Sequence, residues 1–337
     1  MSRIVHARIE HRRLPLRRPY VLALGTLEAF DALLCRLTWD DGRTSMGEVV
    51  PLPGYSDETL ESTWRHAEEW RPALVGLDPS LARAYLRQLS ARAPCAASLW
   101  LSAIDYFDVA ADVATGCMRP VPLVHATSSA EPRLQEEAAA ARRRGFTTLK
   151  VKIGTDLRQD LAALAPLSRG LAPDVRLRFD ANQGYTEKQA LHFFGALEET
   201  LAGQTELVEQ PVARDAWAVM ERLAASTDIP LMLDEPVCSR DDVARARGVG
   251  CQWVKLKLCK QGSVTQLQQT AREARRLGLK VVVGNGVATD VANLLELWAF
   301  DRHPGLFDGA SESTGFAKIH EPVLYPALGV RAGHAIW

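Results

Sequence analysis

The 337-residue chain carries 40 Lys+Arg against 41 Asp+Glu, a formal net charge of −1, with 47% hydrophobic and 24% charged residues. That balance excludes a binder of nucleic acid or anionic membrane whose affinity rests on clustered positive charge, and the length suits a globular protein of two domains. The first residues lack the apolar stretch of a signal peptide and no run of about 18 apolar residues occurs, so a cytoplasmic protein is expected.

From residue 3 to 39 apolar and polar side chains alternate, as in Ala32-Leu33-Leu34-Cys35-Arg36-Leu37-Thr38-Trp39, and Asp40-Asp41-Gly42 follows as a turn. This pattern predicts an antiparallel hairpin sheet. Beyond Pro51-Leu52-Pro53-Gly54-Tyr55-Ser56, residues 57–114 carry helical periodicity broken at Asp78-Pro79 and Pro94. A β-then-α module is the simplest account. From Pro120 onward short apolar strands alternate with Ala/Leu/Arg/Glu-rich helices, with strands predicted at 121–126, 148–153, 175–181, 207–209, 230–234, 252–258, 280–284 and 306–310. Lys152, Asp180, Glu209, Asp234, Lys257 and Gly284, near successive strand ends, recur at intervals of 23 to 29 residues. One strand, one helix and two loops fill such an interval, which predicts an α/β fold of the (β/α)8 barrel type rather than a doubly wound sheet.

Cys35, Cys95, Cys117, Cys238, Cys251 and Cys259 form no CxxC pair, and the eight histidines show no HExxH or HxxxH spacing. Reduced, mostly buried thiols are expected, and zinc or dithiol chemistry is not. The motifs GxSxG, GxxxxGK[ST] and GxGxxG are absent, which removes the main support for acyl-enzyme, phosphate-loop and hydride-transfer readings. The Arg142-Arg143-Arg144 run on an Ala-rich helix reads as a solvated face.

Side chains two apart on a strand share a face, so Lys150 and Lys152 point into the barrel opposite Leu149, Val151 and Ile153. The same rule turns Arg178, Asp180 and Asn182 inward, and Lys255 and Lys257 inward from the far side. Asp180, Glu209 and Asp234 on adjacent strand ends repel one another unless a cation lies between them, and all-oxygen donors suit Mg2+. A lysine near such a cation and a second ammonium is expected to have its pKa drawn towards neutrality, where it can act as a base. Alone, a KxK is usually a solvated face and a DxN a cap or turn; their ordered occurrence, one per βα unit, is what argues for a site.

The pieces Lys150-Val151-Lys152, Asp180-Ala181-Asn182, Val208-Glu209-Gln210-Pro211, Leu233-Asp234-Glu235-Pro236 and Lys255-Leu256-Lys257 resemble the enolase superfamily, specifically its muconate-lactonising-enzyme subgroup. Gly47-Glu48-Val49-Val50-Pro51-Leu52-Pro53-Gly54-Tyr55 is similar to the specificity loop of o-succinylbenzoate synthases. The resemblance implies a modified (β/α)8 barrel over residues 119–316, an α+β capping domain over 1–118, and a segment 317–337 returning to the cap. It further implies Mg2+, with Mn2+ as a substitute, on Asp180, Glu209 and Asp234. Lys152 and Lys257 would be acid/bases on opposite substrate faces, Lys150 would polarise the substrate carboxylate, and Asn182, Glu235 and Lys255 would be supporting groups.

The implied reaction abstracts a proton α to the carboxylate of a small molecule and passes through an enediolate. An isomerase, either racemase/epimerase or cycloisomerase, is favoured over an o-succinylbenzoate synthase-like lyase. A Schiff-base barrel enzyme is a third class. Related members often carry Glu-Ser or Glu-Thr after the seventh strand, where this chain has Gly284-Asn285-Gly286-Val287-Ala288-Thr289, and dipeptide epimerases carry Asp-x-Asp near the eighth, where Phe307-Asp308-Gly309-Ala310 offers only Asp308. Asn285 and Asp308 are therefore the expected polar substrate contacts, and Leu22, Leu24, Leu52 and Tyr55 on cap loops the apolar ones. A homo-oligomer is expected.

Overall fold

The computed structural model of the chain describes residues 2–22, 25–115 and 118–337. The alternating N-terminal sequence forms strands β1 (Ile4–Leu22) and β2 (Gly25–Trp39), joined antiparallel from Ile4 opposite Trp39 to Leu22 opposite Gly25. Strand β3 (Thr44–Val49) adds to the free edge of β2. One face of this sheet places Leu33, Cys35, Leu37 and Trp39 against α1 (Leu60–Leu74), α2 (Pro79–Leu89) and α3 (Pro94–Ala114). The other face gathers Leu14, Phe30, Ala32 and Leu34 with Ile319. The expected helix breaks fall at helix starts. Pro79 follows Asp78, whose carboxylate accepts from Ser80 N and Leu81 N, and Pro94 opens α3, where a missing N–H costs nothing.

After β4 (Val121–Pro122), seven parallel strands follow: β5 (His125–Ser128), β6 (Thr148–Lys152), β7 (Arg176–Asp180), β8 (Thr205–Glu209), β9 (Leu231–Leu233), β10 (Trp253–Leu256) and β11 (Lys280–Val283). They lie in chain order in one curled sheet. Helices α4 (Leu134–Arg143), α5 (Leu157–Gly170), α6 (Glu187–Thr200), α7 (Trp217–Ser226), α8 (Arg240–Gly248), the short α9 (Leu258–Gln261), α10 (Val264–Arg276) and α11 (Asp290–Arg302) connect them. Outward-facing Leu149, Val151, Leu177, Phe179 and Val254 join the helix-facing core, whereas inward-facing Leu207, Met232, Trp253 and Val282 make a separate apolar floor. The period-two reading of the strands therefore holds, and the fold is a modified barrel under an α+β cap.

The eighth strand differs from expectation. No regular strand forms over 306–310; instead the ring is completed by Asp308 N donating to Val281 O, Glu312 N to Val283 O and Val124 N to Ser311 O, with a single bridge between Leu123 and Ser311. Gly309, in the left-handed region at φ +65°, interrupts the extended backbone, and the stave's functional end shifts to Ser311–Glu312. In the C-terminal segment, Ile319 bridges Leu16 of the cap, whereas β12 (Gly329–Arg331) and β13 (His334–Ile336) form a hairpin on β4. Among the described residues, no helix is long and apolar enough to cross a membrane.

Cap and barrel meet along α3 and β3. Asp105 of α3 accepts from Val264 N at 2.6 Å, and Glu48 of β3 accepts from Thr289 N, at the start of α11, at 2.9 Å. Gly47 lies so close to α3 that a Cβ there would stand 2.1 Å from Leu99 O and 2.6 Å from Ser102 Oγ. Gly47→Ala must move α3 or β3, and a loss of stability of about 2 kcal/mol or more is expected in urea unfolding; a change within about 0.5 kcal/mol would refute that contact. Glu48 generates a second prediction. Burial, with Asp290 and Glu296 adding to it and Thr289 opposing, pushes its carboxyl up to about 8. Because the folded value lies above the unfolded one of 4.5, the folded state binds more protons in that window, and the stabilisation present below it is lost as pH rises through 8. Between pH 5 and 8.5 the Tm of the wild type is therefore expected to fall relative to Glu48→Gln. Parallel calorimetric curves would refute it.

Candidate active site

The C-terminal ends of the barrel strands open into a cavity of about 510 Å³, roofed by Tyr20, Leu22, Leu52 and Tyr55 of the cap. Its floor carries Lys150 and Lys152 from β6, Asp180 and Asn182 from β7 and just beyond it, Asp234 and Glu235 after β9, and Lys255 and Lys257 from β10 and just beyond it. Strand alternation explains the grouping of all but Glu235, because those side chains stand above the apolar floor on the inward face, whereas Glu235 follows Asp234 in the turn after β9.

Among the described residues, every charge in this layer except Glu235 has a partner of opposite sign within 4.0 Å. Lys150 Nζ lies 2.8 Å from Asp180 Oδ2, 2.5 Å from Glu209 Oε2 and 2.6 Å from Glu312 Oε2. Lys152 Nζ reaches Asp180 Oδ2 at 2.6 Å and Asn182 Oδ1 at 2.5 Å. Lys255 Nζ meets Glu312 Oε2 at 2.5 Å and Glu209 Oε1 at 3.1 Å, with Asp234 Oδ2 at 3.9 Å. Lys257 Nζ holds Asp234 Oδ2 at 2.5 Å, and Lys260 Nζ holds Asp234 Oδ1 at 2.9 Å. Fully buried Arg178 adds a hydrogen bond to Glu312 Oε1 at 3.0 Å. Leaving any of these ions unpaired in such a place would cost several kcal/mol, which is why they occur as a network.

The network sets the protonation states. Burial works against ionised Asp180, but Lys150, Lys152 and Lys255 outweigh it and hold the carboxyl below the usual range. Lys257, Lys260 and Lys255 do the same for Asp234, and Lys150, Lys255 and Arg178 for Glu312. Glu209 and Glu235 move the other way, raised by burial and by Asp180 and Asp234 respectively. The lysines are held charged by those same carboxylates. Burial disfavours their ammonium forms, yet Asp180 holds Lys152, and Asp234 holds Lys257, above the ordinary lysine value. Each ammonium has its own carboxylate at 2.5 to 2.6 Å, an attraction that outweighs repulsion from neighbouring ammoniums.

Most of the expected residues converge here. Asn285 lines the cavity, but its side chain also closes its own turn, accepting from Val287 N at 2.9 Å and donating to Val287 O at 2.9 Å. Tyr55 lines the cavity with its buried hydroxyl free of hydrogen-bond partners. Leu24 lies outside the described residues. Asp308 is a correction: it is absent from the cavity wall and is held by Arg275 at 2.7 Å and by Val281 N at 2.9 Å, because the displaced eighth stave puts it below the site. Glu312 takes the place expected of it. The signal was legible, since Gly284 to Glu312 spans the same interval as Lys152 to Asp180. Lys260, Tyr20 and Thr314 also line the cavity, a placement that strand alternation does not reveal. Cys95, Cys238 and Cys259 line the cavity as free thiols.

Among the described residues, no three His, Cys, Asp or Glu side chains already converge as a metal cage. Lys150 instead bridges Asp180 to Glu209, and Lys255 bridges Glu209 towards Asp234. The donor set still fits a hard divalent cation. Three carboxylates sit on adjacent strand ends, Glu235 Oε2 beside them is buried with no hydrogen-bond partner, and the flexible lysine stems between them can turn aside.

The sequence profile described as Enolase C-terminal domain-like matches residues 133–323. An aromatic dipeptide epimerase of Herpetosiphon aurantiacus is 30% identical over 291 residues, covering 83% of this chain and 81% of the relative. An N-succinyl-L-Arg/Lys racemase of Bacillus cereus is 27% identical over 298 residues, covering 83% and 79%. Among solved structures, a member of the enolase superfamily from Roseovarius nubinhibens, complexed with magnesium, superposes with a TM-score of 0.84 at 25% identity, covering 100% of this chain and 93% of that one. A profile match over more than half its length, joined to this likeness of cap and barrel, means that the chain belongs to the enolase superfamily, in its mandelate-racemase and muconate-lactonising-enzyme subgroup.

Proposed function

We propose that the chain is a racemase or epimerase that removes and returns the proton α to a substrate carboxylate, with Lys152 and Lys257 as its acid/base pair. The carrying observation is their placement: they end the second and sixth of eight barrel staves, so they face each other across one cavity. One lysine as free amine takes the proton from one face, and the other as ammonium returns a proton to the opposite face, which inverts the carbon. The α-proton of a carboxylate is too weakly acidic for an amine unless the charge of the enediolate is offset as it develops. Lys150 and Lys255, fixed by Glu209 and Glu312, contribute part of that offset. A divalent cation such as Mg2+ or Mn2+, held by Asp180, Glu209 and Asp234, supplies the remainder when bound. Asn182 orients Lys152, and Glu235 supports Asn182 by accepting from its side-chain amide at 3.4 Å.

The racemase and epimerase relatives support this reaction type, and the solved relative complexed with magnesium supports the metal. On this reading residues 1–118 form the cap and 119–316 the barrel, with 317–337 beginning on the cap. Leu22, Leu52 and Tyr55 would meet the part of the substrate away from the reacting carbon.

Asp180→Asn, Glu209→Gln and Asp234→Asn, which keep shape while removing charge, are each expected to lower turnover on the order of a thousandfold, and exhaustive chelation should abolish it. Full activity in any one of these variants, or after chelation, would refute the assignment. Lys257→Ala should still let Lys152 exchange the α-proton of one enantiomer with solvent deuterium, without racemisation. A dehydrated product from the wild type, with no enantiomer-selective exchange in the variant, would instead identify a lyase; trapping by borohydride would identify a Schiff base.

A further inference from the structure

One lysine of the buried layer stands among the proposed cation ligands themselves. Lys255 rises from the inward face of β10 into the cavity, and its Nζ lies 3.1 Å from Glu209 Oε1 and 3.9 Å from Asp234 Oδ2, the carboxylates at the ends of the two preceding staves. Its closest contact is elsewhere, at 2.5 Å to Glu312 Oε2 on the eighth stave. Lys150 bridges Asp180 and Glu209 as well, but at 2.8 and 2.5 Å, so it is bound to the ligand set about as closely as to Glu312 at 2.6 Å. Of the two, Lys255 holds the non-ligand Glu312 tightly and the ligands loosely. It can give up Glu209 and still keep a counter-ion.

Charge balance makes that contact matter. Among the described residues, the layer's five lysines and Arg178 face six carboxylates, counting Glu206 on Arg178 and Glu235 beside Asn182, so the side chains of the layer are neutral as a set. A divalent cation adds two positive charges to this set. Lys255 is only 4% exposed, and in such a place like charges repel with little help from solvent. A carboxylate entering the same cavity offsets part of the excess. Uptake of the cation and of the anion are then linked, each raising the affinity of the other by the same factor.

We propose that Lys255 is a resident cation that competes with the divalent ion for Glu209, and that it makes tight uptake of the ion depend on a carboxylate bound in the same cavity. Lys255 is in this respect a positioning residue: it governs metal occupancy in addition to the charge it lends the enediolate. This rests on the assignment of Asp180, Glu209 and Asp234 as the cation ligands. Removing Lys255 strands no carboxylate, because Glu312 keeps Lys150 and Arg178 and Glu209 keeps Lys150.

The test titrates the full chain with Mg2+ by calorimetry, alone and then with acetate present as a minimal carboxylate. Lys255→Met is expected to bind Mg2+ about tenfold more tightly than the wild type, and Lys255→Arg, which keeps the charge, to stay within about threefold of it. Glu312→Gln removes the carboxylate on which Lys255 falls back, and should weaken Mg2+ binding severalfold although Glu312 is not a proposed ligand. General damage to the site lowers affinity in every variant, so a gain in Lys255→Met is a result that a merely structural role does not give. Acetate should tighten Mg2+ binding severalfold in the wild type and by less than about twofold in Lys255→Met. Mg2+ affinity in Lys255→Met no higher than in the wild type, or no effect of acetate on the wild type, would overturn the proposal. Should Lys255→Met fail to fold, Glu312→Gln decides alone, an affinity unchanged from the wild type refuting the competition. Asp234→Asn in the same titration separates the two readings. If it abolishes Mg2+ binding while Lys255→Met changes nothing, only the competition is refuted, whereas full affinity in Asp234→Asn refutes the ligand assignment and the competition with it.

Discussion

Everything in this molecule is arranged around a layer of buried ions at the C-terminal mouth of a parallel barrel. Lys150, Lys255, Glu209, Asp180, Asp234, Glu312 and Arg178 are almost fully shielded from solvent. Taken singly, ions in such an environment would cost more than a typical domain's margin of stability, so each needs a partner of opposite sign at hydrogen-bond distance. The barrel supplies those partners by register. Lys152 lies beside Asp180 and Asp180 beside Glu209, so charges of both signs are interleaved by the ladder hydrogen bonds themselves. Leu207, Met232, Trp253 and Val282 close the layer from below and exclude water, which strengthens every pair above them.

A mouth so charged needs a cover, and the cap is tied down where the cover matters. Asp105 and Glu48 engage the backbone at the starts of α10 and α11, and residues 318–320 run beside β1 through bonds from Arg17 N to Lys318 O and His320 N to Pro15 O. The chain that completes the barrel thus continues directly into the cap, carrying Lys318 to the ring of Tyr20. The Tyr20 ring centroid lies 4.5 Å from the ammonium of Lys318 in this returning segment and 6.0 Å from that of Lys152 in the barrel.

How much of this could be read from the sequence follows the range of the interactions involved. Strands β6 to β11 are legible because period-two alternation and regular spacing are local properties, and the same alternation identifies Lys150, Lys152, Asp180, Lys255 and Lys257 as inward-facing. The eighth stave is misplaced because it has no regular pairing to leave a pattern; Phe307-Asp308 mimics a strand end, while Gly309 postpones the true one to Glu312. Lys318 is invisible to such reasoning, since Tyr20, Gly286 and Thr314 meet it only through the fold. The charge pairing around the lysines is hidden for a related reason. Counting nearby ammoniums from strand order overlooks Glu312 and the pairing of each acid/base lysine with its own carboxylate.

The same arrangement explains how reaction and recognition can be separated within one cavity. Groups proposed for the chemistry stand on strands whose positions are fixed by neighbours on both sides, so small changes elsewhere do not move them relative to one another. Leu22, Leu52 and Tyr55 instead stand on cap strands and loops with no ion in contact, and exchanging them alters shape and polarity without disturbing the charge network. Lys318 is the exception that joins the two sets: a charged group delivered by the returning segment, close enough to the network to feel Lys152 yet outside its pairing.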